Sequence, residues 1–407
     1  MEQIRAKRPV RPPTEEKPWG LLLLLMAMTA IGPTTLNVLV PALPQLASRL
    51  DVSISVIQLT VSIYLLALAA GQLLMGPLSD RFGRRPILFA GLALATAASL
   101  LAIVAPNVGG LIVARILQAI GASAGIVIGR AIIRDLYDRN RAAAMMGLVA
   151  TVMVVLPTLG PLIGGLLDTA FGWESIFICT AASSLAVLAW AAVTLPETRG
   201  LNVHPGAPQG FLRDLAWLAR NRNFLGYVLA ASLGSATFFA FLGGSPHVIV
   251  TLMDRTSAEY GVWFAISSIG YMAGNYLASR LSTQLGVDTL IWWGIAIEAV
   301  GVVAATLLAV FAHHLGPAIV FMPQMVVSLG NGLMLPGALA GAVSVHPQAA
   351  GTAAGIAGFA QMAAGAAMTQ YAGTLLANAT SAVPLTILMA AIVVVLVVSF
   401  GFLVRRR

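Results

Sequence analysis

Apolar runs long enough to cross a lipid bilayer recur twelve times along this 407-residue chain, and that recurrence leaves little choice of fold. A helix needs roughly 20 mostly apolar residues to span the hydrocarbon layer. The windows lie near 19–43, 54–78, 87–105, 108–133, 142–167, 175–195, 223–247, 260–285, 288–311, 316–344, 350–376 and 382–404. Inside lipid no water is available to pair backbone N–H and C=O groups, so each run must satisfy its own as a helix. Hydrophobic residues make up 58% of the chain, charged residues 9%, and the mean hydropathy is +0.90, which excludes a water-soluble domain of this size. The expected fold is an all-α membrane protein of twelve transmembrane helices.

A net charge of +8 could point to nucleic acid, but the basic residues follow topology. With the N-terminus placed in the cytoplasm, 20 of the 23 Lys and Arg fall on the inner side. Arg49 and Arg255 fall outside, and Arg115 lies within the fourth span. This bias predicts two cytoplasmic termini, which an even number of spans allows. No nucleic-acid partner is expected; the bilayer is the surrounding phase.

The first apolar run is too long for a signal peptide and has no small-residue cleavage site, so it is expected to remain as the first helix. One cysteine, Cys179 in the sixth span, rules out an intramolecular disulfide and reads as a structural thiol. The one long polar break covers 196–222 and contains His204, Pro205, Gly206 and Pro208. It divides the spans six and six. The expected organisation is a cytoplasmic tail at 1–18, a six-helix bundle at 19–195, a cytoplasmic linker at 196–222, a second six-helix bundle at 223–404 and a short tail at 405–407. Two bundles about a central pathway form the parallel-repeat plan of many secondary carriers. Internal similarity is faint: Gly274–Leu281 follows the eighth span as Gly76–Arg81 follows the second, without the aspartate.

Three motifs carry chemistry. The first is the charged turn Gly76–Pro86, with Asp80, Arg81, Arg84 and Arg85, in which Gly76 and Gly83 are expected to let backbones approach and Asp80 to accept hydrogen bonds. The second is Pro157-Thr158-Leu159-Gly160-Pro161-Leu162-Ile163-Gly164-Gly165 in the fifth span. Its prolines bend the helix, and its glycines at four-residue spacing admit a neighbouring helix, predicting a kinked, sealed seam. The third is Arg115, with Gln118 and Gly121. An intramembrane arginine costs roughly 2.5 kcal/mol or more, so it should face the bundle interior with a partner.

The charged turn resembles the loop between helices two and three of the major facilitator superfamily. The resemblance implies that Asp80 is held at the N-terminus of helix eleven and joins Arg84 and Asp135 in a relay that locks the outward-facing state. The proline and glycine run is similar to the antiporter motif of drug exporters in that superfamily, and Arg115 with Gln118 is similar to a coupling motif of the same exporters, where the arginine acts on a carboxylate or an anionic substrate group; the alternative is a structural arginine bonded to carbonyls and Gln118. Together with Val40-Pro41-Ala42-Leu43-Pro44, Arg134-Asp135-Leu136-Tyr137 and Pro196-Glu197-Thr198, the chain resembles the bicyclomycin and chloramphenicol resistance type of multidrug:proton antiporter. The resemblance is strong in the N-terminal half and loose after residue 250.

One departure stands out. Where that family carries an aspartate in its first helix, four residues before the proline, this chain has Asn37, and Thr29 takes the place of a glutamate. Asparagine cannot exchange a proton near pH 7. Among 15 acids, Glu298 alone falls well inside a span, either as a proton carrier or as an acid packed against Trp292 or a small-residue groove. His247 titrates in a useful range but sits near the outer end of the seventh span, while His313 and His314 fall in an outer loop. The resemblance places the substrate cavity among helices one, two, four, five, seven, eight, ten and eleven. Candidate liners are Asn37, Tyr64, Gln72, Met153, Phe238, Phe239, Phe241, Tyr271, Asn331, Met334, Gln361 and Met362. Aromatic and methionine surfaces suit varied amphipathic ligands because they repack.

The expected activity is therefore export of small amphipathic compounds by proton antiport, from a monomer in the bacterial inner membrane. An uncoupled facilitator or exporter of a sugar, nucleoside or other metabolite is the alternative. No metal or cofactor is expected beyond the coupling proton. Neither a metal-ligating cluster, nor a nucleophile beside a base, nor a phosphate-cradling Walker loop is visible, so an enzyme or ATP-driven pump is not expected.

Overall fold

The computed structural model describes residues 18–137, 139–198, 211–312, 315–346 and 349–404. Helix α1 (Pro18–Leu39) ends in a 3₁₀ turn at Val40–Ala42 and continues as α2 (Leu43–Arg49), so the two prolines of Pro41 and Pro44 mark the break. A short α3 (Ile54–Ile57) leads into α4 (Leu59–Phe82), followed by α5 (Arg84–Ile103), α6 (Val108–Leu136), α7 (Arg139–Phe171) and α8 (Glu174–Thr194). After the break come α9 (Phe211–Arg220), α10 (Arg222–Pro246) with a π-helical extension at His247–Leu252, α11 (Ser257–Leu285), α12 (Val287–Phe311), α13 (Ala318–Ser344), α14 (Ala350–Leu376) and α15 (Val383–Leu403).

Twelve of these, α1, α4 to α8 and α10 to α15, correspond to the twelve apolar windows, and they form two six-helix bundles. Nine helices among the described residues are both long and apolar enough to cross a membrane. His313 and His314 lie outside the described residues.

Polar residues set the helix ends. Asn107 Oδ1 accepts from Gly110 N at 2.9 Å to start α6, Asn221 Oδ1 accepts from Phe224 N at 3.0 Å to start α10, and Thr256 Oγ1 accepts from Glu259 N at 3.1 Å to start α11. Two local expectations change. Residues 76–82 continue α4 instead of forming a loop, and the turn is compressed into Gly83, whose φ of 104° favours glycine. Gly76, expected at a close backbone approach, has space for a Cβ, with Val127 Cγ1 3.9 Å away. Part of the expected linker also folds as the amphipathic α9, because Leu218 buries against Phe224 and Ala353 while Arg220 stays outside.

Helices in lipid gain little from the hydrophobic effect and associate through close packing of small residues. Contacts between α5 and α6 depend on this: a Cβ on Gly121 would meet the Gly91 carbonyl oxygen at 2.5 Å. The α12–α13 contact is built the same way, with a Cβ on Gly330 meeting the Gly294 carbonyl oxygen at 2.5 Å. That second approach brings Glu298 of α12 against α13.

Candidate functional site

A cavity of about 250 Å³ lies between the bundles, walled by α1, α7, α10, α11, α13 and α14. Proline-interrupted α1 supplies Pro33 and Asn37, α10 supplies the run Phe238, Phe239 and Phe241, and α11 adds Phe264 and Tyr271. Ring pairs at 5.4 Å (Phe238–Phe239) and 6.3 Å (Phe238–Phe264) make one aromatic wall. Amides and hydroxyls complete it: Gln361 Nε2 donates to Ser235 Oγ at 2.6 Å, and Asn331 Nδ2 donates to the Gly234 carbonyl at 2.6 Å. No charged side chain lines this cavity among the described residues. Through Pro33, Met153, Gln361 and Met362 it joins a wider vestibule of about 590 Å³, lined by Gln72, Arg130, Arg134, Gly351 and Gly355 at the Gly83 end of the bundles.

Ten of the twelve expected liners border these two spaces; Tyr64 and Met334 do not. Tyr64 is fully buried, donating to the Gly32 carbonyl at 2.9 Å. Met334 fills the space left by Gly234 and Gly294, on the side of α13 that faces other helices. The hydroxyls of Thr158, Ser267, Ser268 and Ser328, along with Gln324 and Phe264, were missed. Single serines in apolar helices give no periodic signal.

At the opposite end the bundles touch. Side-chain hydrogen bonds tie them together here: Gln58 Nε2 to the Gly243 carbonyl, Gln370 Nε2 to the Ser55 carbonyl at 2.8 Å, Ser62 Oγ to Gln370 Oε1 at 3.4 Å, Ser257 Oγ to the Pro41 carbonyl at 3.2 Å, Gln45 Nε2 to Ser257 Oγ at 3.4 Å, and Ala258 N to Thr169 Oγ1 at 3.0 Å. The expected glycine seam is the core of this contact and serves two partners. Gly160 and Gly164 receive α1, a Cβ on Gly160 meeting Asn37 Cβ at 2.8 Å and one on Gly164 colliding with the Val38 carbonyl oxygen. Gly165 instead faces the Ser257 carbonyl of the other bundle, and the Pro161 carbonyl lies where a Cβ on Gly261 would be. Pro157 borders the cavity. Asp168, which the sequence reading overlooked, is buried beside Ser257 at the start of α11.

Gly83 bends the chain so that Arg84 turns inward between two carboxylates. Its Nη1 lies 2.5 Å from Asp80 Oδ1 and its Nε 3.0 Å from Asp135 Oδ2, with Nη1 also donating to Ser79 Oγ at 2.8 Å. Arg84 and Asp135 are 10% and 12% exposed, whereas Asp80 is 65% exposed. The expected Arg84 relay therefore forms, but Asp80 is paired with Arg84 at the surface and is not clamped by α14, because the bundles stand apart at this end. Glu197 and Thr198 complete the cluster. Glu197 accepts Arg84 N at 2.9 Å and Arg85 N at 3.1 Å, capping α5, and Thr198 Oγ1 donates to Asp135 at 3.2 Å. Arg85 Nη2 donates to the Ala192 carbonyl at 2.7 Å, and Arg81 stacks on Phe82.

The remaining coupling candidates separate. Arg115 is buried over the Tyr64 ring at 4.0 Å and donates to Gln118 Oε1 at 2.6 Å and to the Thr35 and Thr60 carbonyls. Its partners are backbone carbonyls, Gln118 and a ring, the set of the structural alternative and not the carboxylate or substrate group of the coupling reading, so it ties α6 to α1 and α4. Gln118 passes the bond on to Ser99 at 2.6 Å. Thr29 bonds back to the Leu25 carbonyl at 2.5 Å and packs on Gly129, away from the cavity. His247 begins the π-helical extension beside the Leu376 backbone at the closed end, outside both cavities. Glu298 is buried one layer behind the cavity, its Oε1 accepting from Asn331 Nδ2 at 3.2 Å. It occupies the Gly294–Gly330 groove and not a site on Trp292, which packs on Phe400.

Residues 22–369 match the family model described as Major Facilitator Superfamily. The chain is 28% identical over 394 residues to a bicyclomycin resistance protein homolog of Haemophilus influenzae, covering 95% of this chain and 96% of that one. It is 30% identical over 331 residues to a chloramphenicol resistance protein of Pseudomonas aeruginosa, covering 81% and 76% respectively. Its fold superposes on a crystal structure of the nucleoside transporter NupG with a TM-score of 0.77 at 12% identity, over 95% of this chain and 99% of that one. By this match, and by two six-helix bundles enclosing a central cavity, the chain belongs to the major facilitator superfamily.

Proposed function

We propose that this protein is a secondary active exporter of small amphipathic compounds, driven by proton antiport and working by alternating access. The observation that carries the reading is the uncharged, aromatic and amide-lined cavity shared by both bundles, sealed at the Gly165–Ser257 end and continuous with a vestibule at the Gly83 end. Rocking the bundles about this cavity would open the sealed end and close the vestibule. Relatives named for resistance to bicyclomycin and chloramphenicol support small drugs as the cargo. The arginine bias supports a multi-pass protein of the bacterial inner membrane with the Gly83 end and both termini cytoplasmic, which makes the state described here the inward-open one. The reading is of a monomeric carrier and not an enzyme, with protons and no other cofactor.

Uptake of a fluorescent drug panel into everted vesicles tests this. Accumulation that collapses with the pH gradient is expected; transport indifferent to the gradient overturns the coupling. Maleimide labelling of an Asp80→Cys variant from the cytoplasmic side alone is expected, and labelling from outside would invert the topology. Asn37 favours a second reading, an uncoupled facilitator of a sugar, nucleoside or other metabolite, which would equilibrate its substrate without accumulating it.

A further inference from the structure

We propose that Glu298 holds the exchanged proton and that Asn331 couples it to the substrate, an assignment that rests on the proton-antiport reading above. Glu298 lies midway along α12 with no exposed surface. Asn331 Nδ2 donates to Glu298 Oε1 at 3.2 Å and to the Gly234 carbonyl at 2.6 Å. Both partners accept, which sets the amide orientation and uses both of its hydrogens. Asn331 also lines the cavity, so Oδ1 is the atom left to a ligand. Glu298 Oε2 has no partner among the described residues. A proton can therefore bind at Oε2 without breaking a hydrogen bond.

Among the described residues no cation stands beside this carboxyl to take the proton's place. Helices α13 and α15, which pack on α12, carry no titratable side chain. On α11 the titratable residues are Glu259, Tyr260, Tyr271, Tyr276 and Arg280; on α10 they are Arg222 and Tyr227. Asp288, the other acid of α12, accepts from Tyr227 at 2.6 Å about 15 Å along the helix from Glu298.

The sign of the coupling follows from the amide. A substrate hydroxyl or N–H that donates to Asn331 Oδ1 polarises the amide and strengthens its Nδ2–H donor, which favours the ionised carboxylate. Binding then releases the Oε2 proton to cavity water. By reciprocity a proton on Glu298 weakens the hold on substrate. Such competition is what antiport requires, and it selects uncharged cargo bearing a hydrogen-bond donor.

The test uses full-length protein in detergent with chloramphenicol, a neutral molecule with two hydroxyls and an amide N–H. Calorimetry should show binding about tenfold tighter at pH 8 than at pH 6, in the ordinary range of coupling between sites. A pH dye in weak buffer should record proton release on binding, and infrared difference spectra of the unaltered protein should lose a buried carboxylic C=O band. Glu298→Gln should abolish the release and flatten the pH dependence, while Glu298→Asp keeps both. Absence of chloramphenicol binding, an unchanged infrared band, or a Glu298→Gln protein that still releases protons overturns the assignment. If the unaltered protein also shows no gradient-driven uptake in everted vesicles, antiport itself has failed. If uptake in the unaltered protein is gradient-driven and remains so in Glu298→Gln, only the role of Glu298 has failed.

Discussion

Gly165→Ala should open the sealed end. Its Cβ would meet the Ser257 carbonyl carbon at 2.8 Å and Ala258 Cα at 3.1 Å, with the Ser257 carbonyl oxygen nearer still, and all of these are backbone atoms that cannot rotate away. Overpacking of this kind costs about 1–3 kcal/mol. Because the struck atoms belong to the other bundle, separating the bundles relieves the clash, so the cost falls on the conformational equilibrium. One to three kcal/mol corresponds to a shift of about 5- to 150-fold toward the state with this end open. Gly164→Ala is the control, since its Cβ strikes Val38 within its own bundle and should lower Tm without moving the equilibrium. The assay is spin-label distance measurement between Ser53→Cys and Asn378→Cys, exposed at this end in opposite bundles, in a Cys179→Ser background. A longer distance is expected to gain population in Gly165→Ala. An unchanged distribution, with Tm falling as in Gly164→Ala, would refute the assignment of this seam as the contact that closes this end of the cavity.

Arg84→Gln should lower stability by about 3–5 kcal/mol by removing the guanidinium paired with the nearly buried Asp135; Arg84→Lys should recover part of that, because an ammonium lacks the fork that reaches Asp80, Asp135 and Ser79 together. Thermal melts of the purified variants check both. Gly83→Ala forces a side chain into φ 104° and toward Glu197, costing about 1–3 kcal/mol, read as a fall in Tm with intact helix content. Asn37→Asp places an acid in a cavity whose described lining is uncharged, and is expected to add uptake of a lipophilic cation such as ethidium into everted vesicles.

Much of this site was legible from residue type and spacing. The relay of Asp80, Arg84 and Asp135 could be anticipated from the resemblance of the Gly76–Pro86 turn and of Arg134-Asp135-Leu136-Tyr137 to the superfamily's motifs, and the structure brings the three together. Glu197 and Thr198 joined them unannounced, since their part is to cap α5 and hold Asp135 across 63 to 113 residues of chain. Ten cavity liners followed from polar, aromatic and methionine residues on the helices that the resemblance implied. Tyr64 and Met334 failed because helix rotation, set by neighbouring glycines, turns one under Arg115 and the other into the Gly234–Gly294 gap. Asp168 was passed over because it lies near the end of its span, where an acid looks solvated until α11 covers it.

Hydrophobic length and arginine placement determined twelve helices, their division six and six, and the expected orientation, because the lipid enforces backbone pairing and charge bias on any sequence. Only the tertiary structure decided which faces of those helices meet. Whether Gly165 seals against the other bundle, whether Arg115 finds a carboxylate or a ring, and whether Glu298 reaches the cavity through Asn331 all depend on helix rotation and on approaches of a few ångströms. These are set by small residues distributed over many helices at once, so no single stretch of sequence records them.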